Sequence, residues 1–175
     1  QAVVEWRAEM LATGADQHPP MLVGHPDTEY TPLPARDADL HGGLERSNKY
    51  PNCSYIRLWR SPDDFLTWTV EVPAAGRFEI EIYYTCAPES VGSELEFSWQ
   101  TTSARRRVTE PWNPPESGAE HDRIPRQESY VKEFKRFSLG EVDLQPGAGV
   151  MTLRVTDLVG AEAPEFRLLT LRRIR

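Results

Sequence analysis

Residues 65–72 alternate apolar and polar side chains, break at Pro73-Ala74-Ala75-Gly76, and alternate again through residues 77–84. Period two marks extended strands with one dry face and one wet face, and a short Pro/Gly break between two such runs predicts a β-hairpin. Leu66, Trp68, Val70 and Val72 share one side of the first strand, and Phe78, Ile80, Ile82 and Tyr84 one side of the second. Burying such side chains is worth about 1.5–3 kcal/mol each, whereas ordering the backbone costs on the order of 1–2 kcal/mol per residue. A hairpin of this kind cannot stand alone, so the remaining chain must supply a second sheet over the dry face.

Other stretches carry the same period. Strands are expected near residues 28–33, 54–59, 94–99, 104–109, 130–139 (with one irregular step), 150–156 and 166–173, for a total of eight or nine. Short strands spaced by Gly/Pro turns, with no βαβ alternation, define the expected fold class: all-β, an antiparallel β-sandwich of jelly-roll type. Helical periodicity is confined to residues 1–12, where Val3, Trp6 and Met10 share a face, so a short N-terminal helix precedes the sandwich. With 175 residues there is material for one well-cored domain. The expected organisation is residues 1–14 as the tail helix of a preceding domain and 15–175 as a β-sandwich accessory domain; a helix laid against the sandwich is the alternative. The start at Gln1 rather than Met reads as a fragment of a longer chain.

Charge and motif content narrow the function. A formal net charge of −7 argues against general nucleic-acid binding, which draws on a basic field. No apolar run reaches the roughly 18 residues of a membrane helix. No Gly-x-Ser-x-Gly elbow, His-Glu-x-x-His helix or phosphate-cradling glycine loop is present, so no catalytic residue is assigned. Asp37, Asp39 and His41 cluster in sequence, but their spacing matches no calcium loop; a solvated loop is the reading, with no metal or other cofactor. Cys53 and Cys86 are compatible with a bridge between sheet ends or with two buried thiols.

Residues 110–128 break all periodicity with Pro111, Pro114, Pro115 and Pro125. A long irregular stretch inside a compact domain is a functional loop or a disordered one. Trp112, with Glu120, His121, Asp122, Arg123 and Tyr130, combines an aromatic platform for the apolar side of a sugar with polar groups for its hydroxyls. The candidate carbohydrate-binding residues are therefore these six; the competing reading folds the loop back with Trp112 as a buried anchor. Arg105, Arg106, Arg107 and Arg123 are suited to sulfated or uronic glycans, although alternation sets Arg106 opposite Arg105 and Arg107.

Three stretches carry a family likeness: residues 30–38 (Tyr-Thr-Pro-Leu-Pro-Ala-Arg-Asp-Ala), the 61–76 segment running from Ser61-Pro62-Asp63-Asp64 to Ala75-Gly76, and residues 119–132, from Ala119-Glu120-His121-Asp122-Arg123 to Tyr130-Val131-Lys132. Together they resemble the C-terminal accessory domain of secreted bacterial sulfatases related to N-acetylgalactosamine-6-sulfatase, and the alternating pair of strands more loosely resembles jelly-roll carbohydrate-binding modules. The resemblance implies a non-catalytic accessory domain, secreted or periplasmic. Its partner would be a glycan, sulfated glycans included in the family's context, or the parent sulfatase's catalytic domain, on which it would pack as a purely structural unit. Cys86-Ala87-Pro88-Glu89-Ser90 departs from the family's Cys/Ser-x-Pro-x-Arg nucleophile signature at Ser90, so the resemblance implies no sulfatase activity for this chain.

Overall fold

The computed structural model describes residues 2–12, 19–50, 54–125, 127 and 130–174. Twelve strands lie among them: β1 (Met21–Leu22), β2 (Tyr30–Pro34), β3 (Asp39–His41), β4 (Glu45–Arg46), β5 (Ile56–Arg57), β6 (Phe65–Val72), β7 (Gly76–Thr85), β8 (Glu94–Trp99), β9 (Thr102–Arg107), β10 (Lys135–Leu144), β11 (Gly147–Asp157) and β12 (Glu165–Ile174). One sheet has the order β1-β6-β11-β8-β9, with β3 also on β6; the other has the order β10-β7-β12-β5-β4, with β2 also on β12. The pairs are antiparallel except β1 with β6, where Met21 stands parallel beside Val70. The expected all-β jelly-roll sandwich is what forms.

The 65–84 segment is nonetheless not a hairpin. β6 lies in the first sheet, between β11 on one side and β1 and β3 on the other, whereas β7 lies in the second, between β10 and β12. Residues 73–75 cross from sheet to sheet, so the two dry faces meet across the core instead of lying side by side. Alternation specifies which side of a strand is buried but not which strand pairs with it. Residues 145–146 make the same crossing between β10 and β11, again with a proline. β8 and β9 are consecutive strands that do form a hairpin, closed by Gln100 in the left-handed region at φ 48°.

The inner faces of both sheets supply one core. Leu66, Trp68, Val70 and Val72 meet Phe78, Ile80, Ile82 and Tyr84, with Trp59, Phe97, Trp99, Leu153 and Phe166 filling the layer between. Each buried tryptophan also sends its indole N–H to a backbone carbonyl at a strand end or in a connection: Trp59 to Asp64 (2.9 Å), Trp68 to Pro34 at the end of β2 (3.1 Å) and Trp99 to Gln145 (3.3 Å). The rings fill the core while their polar tips hold the chain ends, the amphipathic use of tryptophan.

Several boundaries differ from expectation. The 54–59 strand shrinks to β5, because Leu58 adopts φ 60° and turns the chain. The 130–139 strand starts only at Lys135 and runs on to Leu144, with a bulge between Ser138 and Gly140. Short strands β1, β3 and β4 add pairings within 21–46 that two- and three-residue segments cannot announce through alternation. The helix spans Ala2–Ala12, and Val3, Val4 and Trp6 on it are exposed by 75%, 71% and 61%, so this part of its apolar face is not laid on the sandwich.

Strand register places the connections. Turns 73–75, 100–101 and 145–146 lie at one end of the sandwich, where Val72 opposes Gly147, Trp99 opposes Thr102 and Gly76 opposes Leu144. The longer segments 86–93, 108–134 and 158–164 gather at the opposite end, where Thr85 opposes Glu165 and Asp157 opposes Glu94.

Candidate functional site

Trp112 stands at this loop-rich end. Its backbone pairs with Cys86, the residue after β7, through Cys86 N–H to Trp112 O (2.7 Å) and Trp112 N–H to Cys86 O (2.8 Å). The indole Nε1 donates to the Glu133 carbonyl at 3.2 Å, and the side chain remains 37% exposed. The loop is thus neither free nor folded over a buried tryptophan: backbone and N–H are tethered, and part of the ring is presented to solvent. A ring fixed in this way can offer an apolar face with little ordering cost.

A cleft of about 280 Å³ opens at the next residue in the chain, Asn113, which lines it with Thr85, Ser90, Glu89, Glu162 and Glu165. Its carboxylates are held rather than loose. Glu162 Oε1 accepts from Arg60 Nε (2.9 Å) and Nη2 (2.6 Å), while Ser90 donates to the Glu162 carbonyl (2.6 Å). Glu165 Oε2 accepts from Lys132 Nζ at 2.6 Å and from the Thr85 hydroxyl. Lys132, only 10% exposed, also lies 5.5 Å from the centroid of the Tyr55 ring, and Tyr55 donates to Glu116 (3.1 Å). Burial, reinforced by Glu165 and Glu116, pushes the Tyr55 phenol well above its ordinary value, so it serves as a donor. In these bonds Glu162 Oε2 and Glu165 Oε1 receive no donor. Fixed carboxylate oxygens and the exposed amide of Asn113, the residue after Trp112, form an acceptor-rich wall for hydroxyl-bearing ligands.

The other sequence candidates are placed elsewhere. Gly118, at φ 104°, opens a single 3-10 turn, Ala119–His121. There Glu120 and His121 stand in solvent, 61% and 84% exposed, and pair with each other at 3.5 Å. Arg123 is exposed, whereas Asp122 and Tyr130 are half-buried. A bridge between Ser117 and Val131 closes this excursion at its base. Trp112's bonds run to Cys86 and Glu133, and the next residue, Asn113, shares a cleft with Glu162 and Glu165. Glu162 and Glu165 were not legible: they sit in an unpatterned Ala161-Glu162-Ala163-Pro164-Glu165 stretch, and only the pairing of β7 with β12 brings Glu165 opposite Thr85, the residue before Cys86.

Asp37, Asp39 and His41 also part company. Asp37 pairs with Arg36 at 3.3 Å, while His41 stacks on Phe65 (4.3 Å between centroids, 12° between planes) and shares a 2.8 Å hydrogen bond with Thr67. Of the arginine run, Arg107 pairs with Asp157 (2.7 Å) and Glu94 (3.7 Å), and Arg105 stands opposite Glu96 across the strand pair. Arg106 points the other way, to the seam between the sheets, as alternation requires.

Cys86 is a free, buried thiol, and Cys53 lies outside the described residues. Burial, with the Glu89 charge adding to it, pushes the Cys86 thiol from 9.0 up to about 11. Two consequences follow from the sign of that shift. The folded state keeps its proton where the unfolded chain has lost it, so this contribution to stability is full below pH 9 and is lost as pH rises toward 11. Iodoacetamide at pH 8, followed by peptide mapping, is expected to leave Cys86 unmodified in the native chain and to alkylate it after unfolding. Native-state labelling at the unfolded rate would contradict its burial.

Fold and site together define a class: a jelly-roll sandwich with a half-exposed aromatic and a polar cleft at its loop-rich end. Among solved structures, the carbohydrate-binding module of Cellvibrio mixtus lichenase 5A, in complex with cellotriose, matches with TM-score 0.54 and 13% identity over 83% of this chain and 98% of that one. A family 35 carbohydrate-binding module from Clostridium thermocellum matches with TM-score 0.52 and 13% identity over 81% and 97%. A Podospora anserina β-(1,4)-mannanase carrying a family 35 module matches with TM-score 0.56 and 12% identity over 84% of this chain, which spans 28% of that enzyme. At such identities the likeness is one of fold. No protein-family model and no curated protein matches the sequence.

Proposed function

We propose that the chain is a non-catalytic carbohydrate-binding domain whose site is Trp112 with the adjoining Asn113–Glu162–Glu165 cleft. The observation that carries this reading is the tethered, part-exposed indole of Trp112 followed directly by Asn113 in a cleft with fixed carboxylate oxygens. A sugar ring has an apolar face that stacks on an aromatic and a rim of hydroxyls that donate to carboxylates. The fold likeness to modules solved with or named for carbohydrate supports it. Three carboxylates in the cleft repel a sulfate, so this cleft is assigned a neutral sugar residue. The Glu120–Arg123 turn is kept as a peripheral contact at most.

The parent is proposed to be a secreted or periplasmic sulfatase; its support is confined to the three sequence stretches that carry the resemblance. The open apolar face of the helix at Val3, Val4 and Trp6 favours assigning that helix to a preceding domain, and with it a second reading in which the sandwich only packs on the parent's catalytic domain. Among the described residues no helix is long and apolar enough to cross a membrane.

The test is calorimetric titration of the chain with soluble neutral and acidic oligosaccharides, with tryptophan fluorescence recorded in parallel. Saturable heat with at least one glycan, accompanied by a fluorescence change, is expected. Silence across a broad panel would overturn the binding role and leave the packing role.

A further inference from the structure

Earlier in the same segment, at Thr109 and Glu110, the electrostatics reverse. A second cleft of about 270 Å³ lies on the seam between β9 and β10, lined by Arg106, Lys135 and Arg136 with Glu110 as its one carboxylate. The chain as a whole carries −7, so a lining of three cations and one anion is a local inversion of sign. Strand register builds it. Arg106 leans from β9 toward the second sheet, while Lys135 and Arg136 open β10 beside Tyr84 and Tyr83.

The cations are differently committed. Lys135 pairs with Glu110, holding that carboxyl below its usual range, and Arg136 Nε lies 3.4 Å from Glu81. Among the described residues Arg106 forms no ion pair. Its Nη1 donates to the Ser138 carbonyl (3.3 Å), and its guanidinium sits 5.6 Å from the Phe137 centroid, with Tyr84 edge-on behind that ring at 5.5 Å. A guanidinium seated on an aromatic and tethered at one nitrogen retains N–H groups that match two oxygens of a planar or tetrahedral anion.

Both clefts draw on one short segment. Thr109 and Glu110 line the basic cleft and Asn113 the acidic one, with Trp112 between them; on β7, Tyr84 lines the first and its neighbour Thr85 the second. We propose that the Arg106–Lys135–Arg136 cleft is a subsite for the anionic substituent of an acidic sugar, a uronate carboxylate or a sulfate ester, next to a neutral residue carried over Trp112. This subsite deepens, and rests on, the proposed carbohydrate-binding reading. The ligand class is then a mixed glycan in which charged and uncharged residues adjoin. Because Lys135, Arg136 and Arg106 are surface groups, binding there should weaken as ionic strength rises.

The experiment follows two reporters in one isotope-labelled sample by NMR, the Arg106 Nε–H and the Trp112 indole N–H. The probes are methyl β-D-glucuronide, glucose 6-sulfate, neutral methyl β-D-glucoside and sodium sulfate. The expected result is a saturable shift at Arg106 with one or both acidic sugars and none with the glucoside; which acidic sugar acts identifies carboxylate or sulfate. Lys135→Gln should weaken that response about tenfold, and Arg106→Gln, which removes the reporter, should weaken the affinity for the same acidic sugar about tenfold by calorimetry, the loss expected for one charge-assisted contact, with the rest of the spectrum retained in both. The subsite is overturned if neither acidic sugar moves Arg106, or if sodium sulfate moves it as strongly as the sugar sulfate. In that event a Trp112 response to an oligosaccharide in the calorimetric panel leaves the broader reading standing, whereas no response at either reporter removes both.

Discussion

Trp112→Ala is expected to abolish most glycan affinity, by roughly thirtyfold or more, while the domain stays folded. The loss corresponds to about 2 kcal/mol, the scale of a single aromatic anchor in a small site. The fold should survive because the two backbone hydrogen bonds with Cys86 do not need the indole. The Nε1 bond to Glu133, worth about 1 kcal/mol, is lost together with the packing of the covered part of the ring, worth about 1–2 kcal/mol more, so the melting temperature should fall by roughly 4–12 °C for a domain of this size. Trp112→Phe separates the two contributions, since it keeps an apolar ring and drops the tether; it should retain more affinity than the alanine variant. Unchanged affinity in Trp112→Ala, measured on the glycan that responds best in the panel, would exclude the ring from the site.

The second large effect is on stability. Asp64, 5% exposed, accepts from three backbone N–H groups: Gly43 (2.8 Å) at Oδ1, and Ser61 (3.1 Å) and Arg60 (3.3 Å) at Oδ2. Its own carbonyl takes the buried Trp59 indole. One carboxylate therefore joins the turn into β6 to the turn after β3. At Gly42, φ is 89° and a Cβ would run into the Asp64 carboxylate, so this approach requires glycine. Asp64→Ala is expected to cost about 3 kcal/mol, because three donors lose a charged acceptor and stay partly shielded from water. The melting temperature should fall by roughly 6–12 °C. Asp64→Asn, which keeps one acceptor oxygen, should fall in between. A shift below about 2 °C for the alanine variant would mean that water replaces the carboxylate at little cost.

What could be read in advance follows from which interactions are local. Phe65 to Tyr84 announced two strands and their buried sides through side-chain period alone, and all eight inward positions are buried. The same pattern suggested a hairpin that does not exist, because four residues such as Pro73 to Gly76 can turn a chain back within a sheet or carry it across to the facing sheet. Trp112 was legible as a candidate because an aromatic in a proline-rich, unpatterned loop stands out. The structure sets Glu120 and His121 on a solvent-exposed turn, while Trp112 is tied to Cys86 and Glu133. The cleft residues Glu162 and Glu165 are remote from Trp112 in the chain, so sequence proximity could not point to them.

From sequence alone, then, come the class of fold, the burial of alternate residues and an acidic chain with an aromatic in its longest irregular loop. These depend on period, composition and turn chemistry within a few residues. Tertiary structure alone decided that β6 and β7 belong to different sheets, that three connections gather at one end, and that residues 109–113 contribute to a basic cleft at their start and an acidic one at their end. Those outcomes depend on which strands pair, and pairing is set by packing both inner faces into one core rather than by any segment's own preference.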